Sequence, residues 1–285
     1  MRYAVIDIGT NSVRCMLADN ADGNITVLAR ARENTRLGKG LYTEQKLLNH
    51  GSMQATVSAI ASFMDSIASV GYNKVICIAT SAVRDSSNGD ELARMIKDAT
   101  GIDLRVLSGK EEAMAGFVGA MSHRDGVLVD IGGGSTEVIQ MTDEEHVVGI
   151  SYDCGCVRLS EMFGRDYNKA DDFIRSEVES PSGKPITFIG GTASALAMIY
   201  KGLAEYDEDA LHGTFIPVEY IFSLRDKLLT MTQSEIDRLC FFDPKRGEIL
   251  PFGLMIISHI IAMTKADGLT VSCHGIMHGL IRLDT

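Results

Sequence analysis

One strand-and-turn pattern occurs twice in this chain. Residues 3–19 read YAVIDIGTNSVRCMLAD and residues 126–141 read GVLVDIGGGSTEVIQM, so that Asp7 aligns with Asp130. Each copy has a short apolar run rich in β-branched residues, then Asp-Ile-Gly, then polar residues and a second run of alternating character. This pattern is typical of two antiparallel strands joined by a tight turn. The chain is therefore predicted to contain a duplicated unit, with one such hairpin at the head of each half.

The pattern after each hairpin also repeats, because a third strand and then alternating helices and strands follow both copies. In the first half we predict strands at 2–8, 12–17, 24–30, 74–79 and 104–107, and helices at 47–70, 89–100 and from 108 onward. In the second half we predict strands at 127–131, 136–141, 147–152, 186–189 and 269–272, and helices at 190–200, 218–230, 234–239 and 249–263. Two such units predict an α/β protein of two lobes, residues 1–122 and 123–285, that face each other across a cleft. We also expect that the closing helix can pack back on the first lobe.

Composition narrows the class of protein. The chain has 285 residues, with 38 acidic and 27 basic side chains and a net charge of −11. Neither nucleic acid nor an anionic membrane is an expected partner, because general binders of either need a basic footprint. The six cysteines lack zinc-ligand spacing and the N-terminus lacks a secretory signal, which predicts a reduced, cytoplasmic protein. The apolar run 249–263 is too short and too interrupted to span a membrane, so we predict a buried helix there.

The two glycine turns are the first candidates for chemistry. A strand that ends in Asp before a glycine-rich turn presents backbone N–H groups and a carboxylate at one place. Gly132, Gly133 and Gly134 would let the chain approach a phosphate closely, and Asp7 and Asp130 are suited to hold Mg²⁺. Further neutral donors are Asn11, Ser12 and Ser135. The alternative is that the glycines only shape hairpins and the aspartates cap them, but the presence of both copies favours a ligand.

A third glycine pair, Gly190-Gly191 before Thr192, lies where a predicted strand leads into a helix. Free amides and the helix dipole at such a helix start make an anion site. In ordinary turn chemistry Thr192 would instead be a simple N-cap. The pattern by itself leaves both interpretations open.

The segment SGKEEA at 108–113 carries two neighbouring acids with different predicted roles. Ser108 and Glu111 have the spacing of a capping box, which gives Glu111 a structural role at the helix start. Glu112 points about 100° further round the helix. It is either a general base that orients and deprotonates water, or a solvated acid favoured by the helix dipole. The residues alone support both roles for Glu112 equally.

Arg84 follows a predicted strand in the segment ATSAVRDSSN. An arginine at this place can neutralise the charge that builds up on a transferring phosphoryl group. The alternative is a surface arginine at a helix start, where a cation gains nothing from the helix dipole. That unfavourable position for a structural arginine favours the catalytic role.

Six segments together resemble the exopolyphosphatase and guanosine pentaphosphate phosphohydrolase family. In chain order they read AVIDIGTNSVR, ATSAVRDSSN, SGKEEA, VDIGGGSTEV, GCVRLSE and IGGTASALA, and the resemblance spans about residues 3–283. The family belongs to the superfamily of sugar kinases, actin and heat-shock chaperone ATPases. The resemblance implies two ribonuclease H-like lobes, each with a mixed five-stranded sheet flanked by helices, which enclose a phosphate-binding cleft.

The resemblance also implies Mg²⁺-dependent hydrolysis of phosphoanhydride bonds. By motif position Glu112 corresponds to the catalytic base and Arg84 to an arginine of the cleft. Asp130 and Glu137 correspond to acids that serve metal and water, and Asp7 is a further expected metal ligand. The expected phosphate-binding residues are, in chain order, Asp7, Gly9, Thr10, Asn11, Ser12, Gly132, Gly133, Gly134, Ser135, Gly190, Gly191 and Thr192.

The two copies of the hairpin differ at one informative position. Arg14 in the first copy aligns with Glu137 in the second. We predict that the duplicated hairpin places a cation in one lobe and a metal-facing or water-facing acid in the other.

Two departures from the family pattern concern the substrate. Near the C-terminus the family reads G-L-R-E-G, whereas residues 275–279 read GIMHG, with Met277 and His278 in place of the arginine and glutamate. A substrate contact made by that arginine is therefore not expected here. The chain also stops where longer members continue into a helical domain, so it resembles the short, two-lobe members.

We expect an exopolyphosphatase that removes the terminal phosphoryl group of inorganic polyphosphate. The alternative substrate is guanosine pentaphosphate, because no segment identifies a guanine pocket and the altered C-terminal segment leaves either choice open. A small-molecule kinase of the same superfamily and a phosphate-ligand sensor without turnover are further alternatives. The SGKEEA segment argues against the kinase, and the presence of Glu112, Asp130 and Glu137 argues against the sensor. The sequence leaves a homodimer open.

Overall fold

The chain divides into two compact units. The structure, a computed structural model, describes residues 1–42, 45–120, 126–141, 147–179 and 186–284. Unit 1 comprises Met1–Gly119 and Ile276–Thr285, and unit 2 comprises Ala120–Gly275. In the described part of the chain, each helix is too short or too polar to serve as a membrane span.

Strands and helices alternate along most of the chain. The strands are β1 (Arg2–Ile8), β2 (Val13–Ala21), β3 (Asn24–Glu33), β4 (Lys74–Ala79), β5 (Arg105–Val106), β6 (Val127–Ile131), β7 (Thr136–Met141), β8 (Val147–Tyr152), β9 (Ile186–Ile189), β10 (Thr214–Pro217) and β11 (Gly268–Val271). The helices are α1 (His50–Ile67), α2 (Ser81–Arg84), α3 (Gly89–Thr100), α4 (Gly109–Ala120), α5 (Cys156–Phe163), α6 (Tyr167–Glu177), α7 (Gly190–Lys201), α8 (Glu208–Leu211), α9 (Val218–Thr230), α10 (Gln233–Leu239), α11 (Leu250–Thr264) and α12 (Ile276–Leu283). A short 3₁₀ helix, Pro244–Glu248, precedes α11.

Unit 1 is built on a mixed five-stranded sheet in the order β3-β2-β1-β4-β5. Strand β1 is central, because it pairs antiparallel with β2 and parallel with β4. Successive side chains of a strand point to opposite faces, so a continuous apolar run supplies two cores. On one face Ile6 packs with residues of α1 and α3, and on the other face Val5 packs with residues of α4 and α12. The near-continuous apolar sequence of β1 is explained by this burial on both faces.

Helix α12 packs closely on α4 within unit 1. Gly279 makes this approach possible, because a Cβ at this position would collide with the backbone carbonyl of Ala115. Met277 joins the same apolar cluster, and His278 is also buried. Two residues that depart from the family pattern are therefore enclosed within the protein and are not exposed at its surface.

Unit 2 repeats the arrangement at its centre. Strand β6 pairs antiparallel with β7 and parallel with β9, as β1 pairs with β2 and β4. The full sheet has six strands in the order β10-β11-β9-β6-β7-β8. The predicted fold class is confirmed, and β10 is an additional edge strand that the sequence prediction does not contain. It is four residues long and ends in Pro217, so it carries little of the alternating pattern that identifies a strand.

Helix α11 is the predicted buried helix. It packs against α5, α6, α7 and α9, and most of its 15 side chains are buried. Full burial of each large aliphatic side chain contributes roughly 1.5–3 kcal/mol. Pro251 lies in the first turn, where a missing N–H costs no intrahelical hydrogen bond. The apolar run at this position is thus a core element of unit 2.

Candidate active site

The first glycine turn joins β1 to β2 and is supported from behind by the segment that follows β3. Gly38 N donates to Thr10 O at 2.8 Å, and Arg36 N donates to Asn11 O at 3.0 Å. Both carbonyls at the tip of the turn are therefore bound by the protein. Gly38 must lack a side chain, because a Cβ there would overlap the methyl group of Thr10.

The amides of this turn point the other way. In a planar trans peptide, the C=O of one residue and the N–H of the next are directed oppositely. Since the carbonyls of Thr10 and Asn11 face the supporting segment, the N–H groups of Asn11 and Ser12 face away from it. Among the described residues, neither N–H has a backbone or side-chain acceptor. Two such amides form a potential anion-binding site.

The second glycine turn joins β6 to β7 and is supported by the start of α5. Each carbonyl of the three-glycine run accepts a hydrogen bond from this helix. The pairs are Cys156 N to Gly132 O (3.1 Å), Val157 N to Gly133 O (2.8 Å) and Arg158 Nε to Gly134 O (2.8 Å). Gly155 permits the contact, because a Cβ there would lie 2.5 Å from backbone atoms of Gly133 and Gly134. The segment GCVR thus supports the turn, a role that the sequence analysis does not assign to it.

Three amides of the second turn are directed away from α5. By the same peptide geometry these are the N–H groups of Gly133, Gly134 and Ser135. They donate no hydrogen bond within the described part of the chain. The Ser135 hydroxyl is buried there without a hydrogen-bond partner. Because buried polar groups are normally satisfied, this arrangement is suited to an acceptor-rich ligand such as a phosphate.

Both turns close with the same backbone hydrogen bond. Gly9 N donates to Ser12 O at 3.1 Å, and Gly132 N donates to Ser135 O at 2.9 Å. The sequence alignment of the two copies therefore corresponds to a structural equivalence.

Two acids face each other across the second hairpin. Asp130 and Glu137 are paired in the register of β6 and β7, so their side chains lie on one face with Cβ atoms about 5 Å apart. Glu137 is only 1% exposed and accepts a hydrogen bond from Ser151 Oγ at 2.7 Å. Carboxylate oxygens are the ligands that Mg²⁺ prefers. This pair therefore fits a divalent cation.

The third glycine pair lies beside the second turn in unit 2. Gly190 has a φ of +87°, and a Cβ there would be 2.5 Å from Asp130 Oδ1. Helix α7 begins at Gly190 after the N-cap Ile189, so Thr192 lies inside the first turn. The interpretation of Thr192 as an N-cap is therefore wrong. Its side chain is buried against α11, where Gly253 provides the necessary space.

Arg246 is a residue that the sequence analysis does not single out. It lies in the 3₁₀ helix before α11, is 6% exposed, and approaches Asp243 at 3.6 Å. A Cβ on Gly191 would lie 2.8 Å from Arg246 Nη2, so the guanidinium packs against the start of α7. A buried arginine adds positive charge to a helix start that already favours anions. In the sequence its neighbour Lys245 looks equivalent, although Lys245 is exposed.

Glu111 forms the predicted capping box with Ser108. Ser108 N donates to Glu111 Oε2 at 2.8 Å, and Glu111 N donates to Ser108 Oγ at 3.3 Å. The hydrogen bonds from the Ser108 backbone and hydroxyl, together with Arg105, lower the pKa of Glu111 to about 2. This prediction is confirmed, and Glu111 has a structural role at the start of α4.

Glu112 has different surroundings from its neighbour. Its side chain is 11% exposed, against 44% for Glu111. Arg84 Nη1 donates to Glu112 Oε2 at 2.9 Å and to Leu107 O at 3.0 Å. A largely buried carboxylate fixed by an arginine is not the solvated acid of the alternative interpretation.

Asp7 is paired with a cation of the protein. It is 1% exposed, and Arg14 Nη2 donates to its Oδ2. The two residues are directly opposite in the register of β1 and β2, as Asp130 and Glu137 are in β6 and β7. The predicted cation of the first copy thus lies beside the first aspartate.

Cys154 and Cys156, on either side of Gly155, lack the features of a reactive site. None of the six cysteines forms a disulfide within the described residues. Burial raises the pKa of Cys154 to about 12, and it also raises the pKa of Cys156. Since the thiolate is the reactive form, these two thiols are inert packing groups.

Known proteins resemble this chain over almost its whole length. The family model of the Ppx/GppA phosphatase family matches residues 16–284. Exopolyphosphatase 2 of Mycobacterium tuberculosis is 29% identical, over 98% of this chain and 97% of that protein.

Solved structures show the same fold. The crystal structure of an exopolyphosphatase-like protein matches with a TM-score of 0.90 at 25% identity, over 99% of this chain and 98% of that one. The PPX-GPPA enzyme of Aquifex aeolicus matches with a TM-score of 0.83, also at 25% identity and with coverage of 99% and 98%.

Proposed function

We propose that this chain, which belongs to the Ppx/GppA phosphatase family, hydrolyses the terminal phosphoanhydride bond of inorganic polyphosphate with the help of Mg²⁺. The main support for the proposal is the hydrogen bonding of the two glycine turns. In each turn the carbonyl groups accept hydrogen bonds from the protein, and the amide N–H groups point away from these donors. Phosphate oxygens are good acceptors for such amides. The similarity to a protein named exopolyphosphatase 2 supports polyphosphate as the substrate.

Glu112 is the proposed general base. It accepts a proton from a water molecule as that water attacks the terminal phosphorus, and the bond from this phosphorus to the bridging oxygen breaks. The products are orthophosphate and a polymer that is shorter by one unit. Arg84 fixes the orientation of the Glu112 carboxylate at 2.9 Å and brings a positive charge to the site. Phosphoryl transfer depends mainly on such positioning and electrostatic stabilisation.

The turn amides are proposed to bind the phosphoryl oxygens. Each unit has its own set of such amides: the N–H groups of Asn11 and Ser12 in unit 1, and those of Gly133, Gly134 and Ser135 in unit 2. Amides that are already oriented need no reorganisation when charge develops on the phosphoryl group.

Asp130 and Glu137 are the residues proposed to hold Mg²⁺. Their carboxylates share one face of the second hairpin, and Ser151 orients Glu137 through a hydrogen bond of 2.7 Å. When bound, Mg²⁺ supplies positive charge that polarises phosphate oxygens. The aspartate of the first hairpin differs, because Arg14 already neutralises it.

A substrate panel tests the proposal. Phosphate release would be measured from long-chain polyphosphate, tripolyphosphate, guanosine pentaphosphate and ATP, each with Mg²⁺ and with a chelator. We expect Mg²⁺-dependent release from both polyphosphates. Release from guanosine pentaphosphate alone would replace the proposal with the nucleotide phosphohydrolase. ATP consumption that requires a sugar acceptor would indicate a kinase, and tight binding without release would indicate a sensor.

A further inference from the structure

We propose that an arginine strip on unit 1 binds the polyphosphate chain beyond its terminal phosphates and so favours long polymers. The strip consists of Arg14, Arg32 and Arg30, and it runs from the first glycine turn to the edge of the sheet. This inference rests on the proposed function, because it names the part of the substrate that lies outside the reacting bond.

The register of the sheet places the strip on one face. Asp7 is paired with Arg14, Arg14 with Arg32, and Met16 with Arg30. Directly paired residues of antiparallel strands project from the same face of a sheet. Strand β3 is the edge strand, two strand spacings or about 10 Å from β1. The strip therefore leads away from the turn toward an open edge.

The strip begins where the helical cover of this face ends. Nearer the other end of the strands, Val5, Met16 and Ala18 belong to the core beneath α4 and α12. Arg14 is 35% exposed, and both Arg30 and Arg32 are exposed. The same face thus changes from an apolar core to an exposed cationic row.

The local excess of positive charge points to an anionic ligand for this row. Arg14 and Arg32 are directly opposite each other on β2 and β3, so two guanidinium groups lie side by side on this face. The chain has an excess of acids, yet residues 30–39 contain four cations and a single carboxylate, Glu33. Glu33 follows Arg32 directly, so it projects from the opposite face.

Polyphosphate has the chemistry that this row recognises. Each unit of the polymer carries negative charge, and the guanidinium fork binds phosphate oxygens with two parallel hydrogen bonds. A tripolyphosphate placed at the first turn has too few units to follow the strip to β3. The strip is therefore expected to lower the KM for long chains and to leave the KM for tripolyphosphate unchanged.

Four proteins test the strip: the wild type, Arg30→Gln/Arg32→Gln, Arg30→Lys/Arg32→Lys and Arg94→Gln. Arg94 is a matched control, because it is exposed on α3 and its Nε donates to Asp90 O of the same helix at 3.3 Å. KM and kcat would be measured on long-chain polyphosphate and on tripolyphosphate at several salt concentrations. Thermal unfolding would verify that each variant is folded.

We expect the double glutamine variant to raise the KM for long-chain polyphosphate roughly three- to tenfold, with kcat unchanged. Its KM should also depend less steeply on salt, since fewer counterions are displaced. The lysine variant should raise this KM less than the glutamine variant does, because it keeps the positive charge but loses the guanidinium fork. Arg94→Gln should match the wild type. An unchanged KM in the glutamine variant, or an equal rise in the KM for tripolyphosphate, would contradict the proposed role of the strip.

The two proposals fail in different ways. If the wild type released phosphate from neither polymer, that result would reject the proposed function but would not test the strip. Binding of fluorescently labelled long-chain polyphosphate to the same four proteins would then test the role of the strip. Weaker binding by the glutamine variant than by the wild type and Arg94→Gln would support the proposed role of the strip, and equal binding by all four would reject it.

Discussion

The first glycine turn lies beside an ion pair, whereas the second lies beside two acids. In the first hairpin Asp7 is opposite Arg14, and in the second Asp130 is opposite Glu137. The backbone of the two turns is otherwise equivalent. Both have the same closing hydrogen bond, and in both the carbonyl groups accept hydrogen bonds from a supporting segment of the same unit. One backbone design is therefore combined with two different electrostatic environments.

This difference separates two requirements of phosphate chemistry. We propose that amides bind phosphate oxygens in both turns, but the charged side chains beside the two turns differ. In the first copy Arg14 neutralises Asp7, so that aspartate is not available to attract a metal ion. In the second copy the acids favour a divalent cation, which we propose to be Mg²⁺. The residue opposite the aspartate, Arg14 in one copy and Glu137 in the other, thus determines the net charge beside each turn.

The largest expected effect concerns Glu112, the acid of unit 1 that is paired with Arg84. Glu112→Gln should lower kcat on the order of 10²–10⁴-fold, because a glutamine cannot accept the proton of the attacking water. Its near-identical shape should preserve folding and substrate binding. Phosphate release and thermal unfolding are the two measurements.

Glu111→Gln is the matched control for that change. It alters the neighbouring acid of the same helix, whose role is to cap α4. Its kcat should stay close to that of the wild type. Equal losses in the two variants would remove Glu112 from the proposed mechanism.

A smaller effect is expected on stability when the close packing that supports each turn is disturbed. Gly38→Ala and Gly155→Ala should each destabilise the protein by about 1–3 kcal/mol, because each added Cβ meets atoms of a turn. In the first turn the collision is with the methyl group of Thr10, so the added change Thr10→Ser should recover most of the loss. In the second turn the collision is with backbone atoms, so trimming a side chain offers no relief.

Chemical denaturation of the three variants measures this contrast. Thr10→Ser keeps the hydroxyl that lies 3.0 Å from Ser81 Oγ, so the rescue tests the methyl group alone. Failure of Thr10→Ser to rescue Gly38→Ala would show that the backbone of the first turn is as crowded as that of the second.

The smallest expected effect is a pH dependence of stability that arises from Glu111, which lies in neither turn. The pKa of Glu111 is lowered from 4.5 to about 2 in the folded protein, so its contribution to stability is complete above pH 4.5. That contribution should be lost as the pH falls toward 2. The difference in Tm between the wild type and Glu111→Gln should therefore shrink across this interval. A difference that grows on acidification would contradict the capping assignment.

The sequence predicted the parts of the fold that depend on local pattern. The limits of β1, β4, α3 and α9 are as predicted, because apolar periodicity and turn residues define them. The family resemblance and the class of enzyme, a phosphoanhydride hydrolase, are confirmed by the comparisons. Helix α1 begins three residues later than predicted, because Asn49 caps it by accepting from Gly51 N at 2.9 Å.

Features that depend on distant contacts could not be predicted. Arg246 contacts Gly191 across 55 positions of the chain, and no local pattern separates it from Lys245. The role of Gly155 likewise depends on the backbone of the second turn, more than 20 residues earlier. Such contacts arise only when the strands and helices have packed.

The difference between the two hairpins is tested most directly by Mg²⁺ binding to the wild type, Asp7→Asn and Glu137→Gln, measured by titration calorimetry. We expect Glu137→Gln to weaken Mg²⁺ binding at least about tenfold, because one carboxylate ligand of the ion is lost. Asp7→Asn should leave the Mg²⁺ affinity within about twofold of the wild type, because the Asp7 carboxylate is already paired with Arg14 and is not expected to bind the ion. Equal losses in both variants, or a loss confined to Asp7→Asn, would contradict this expectation.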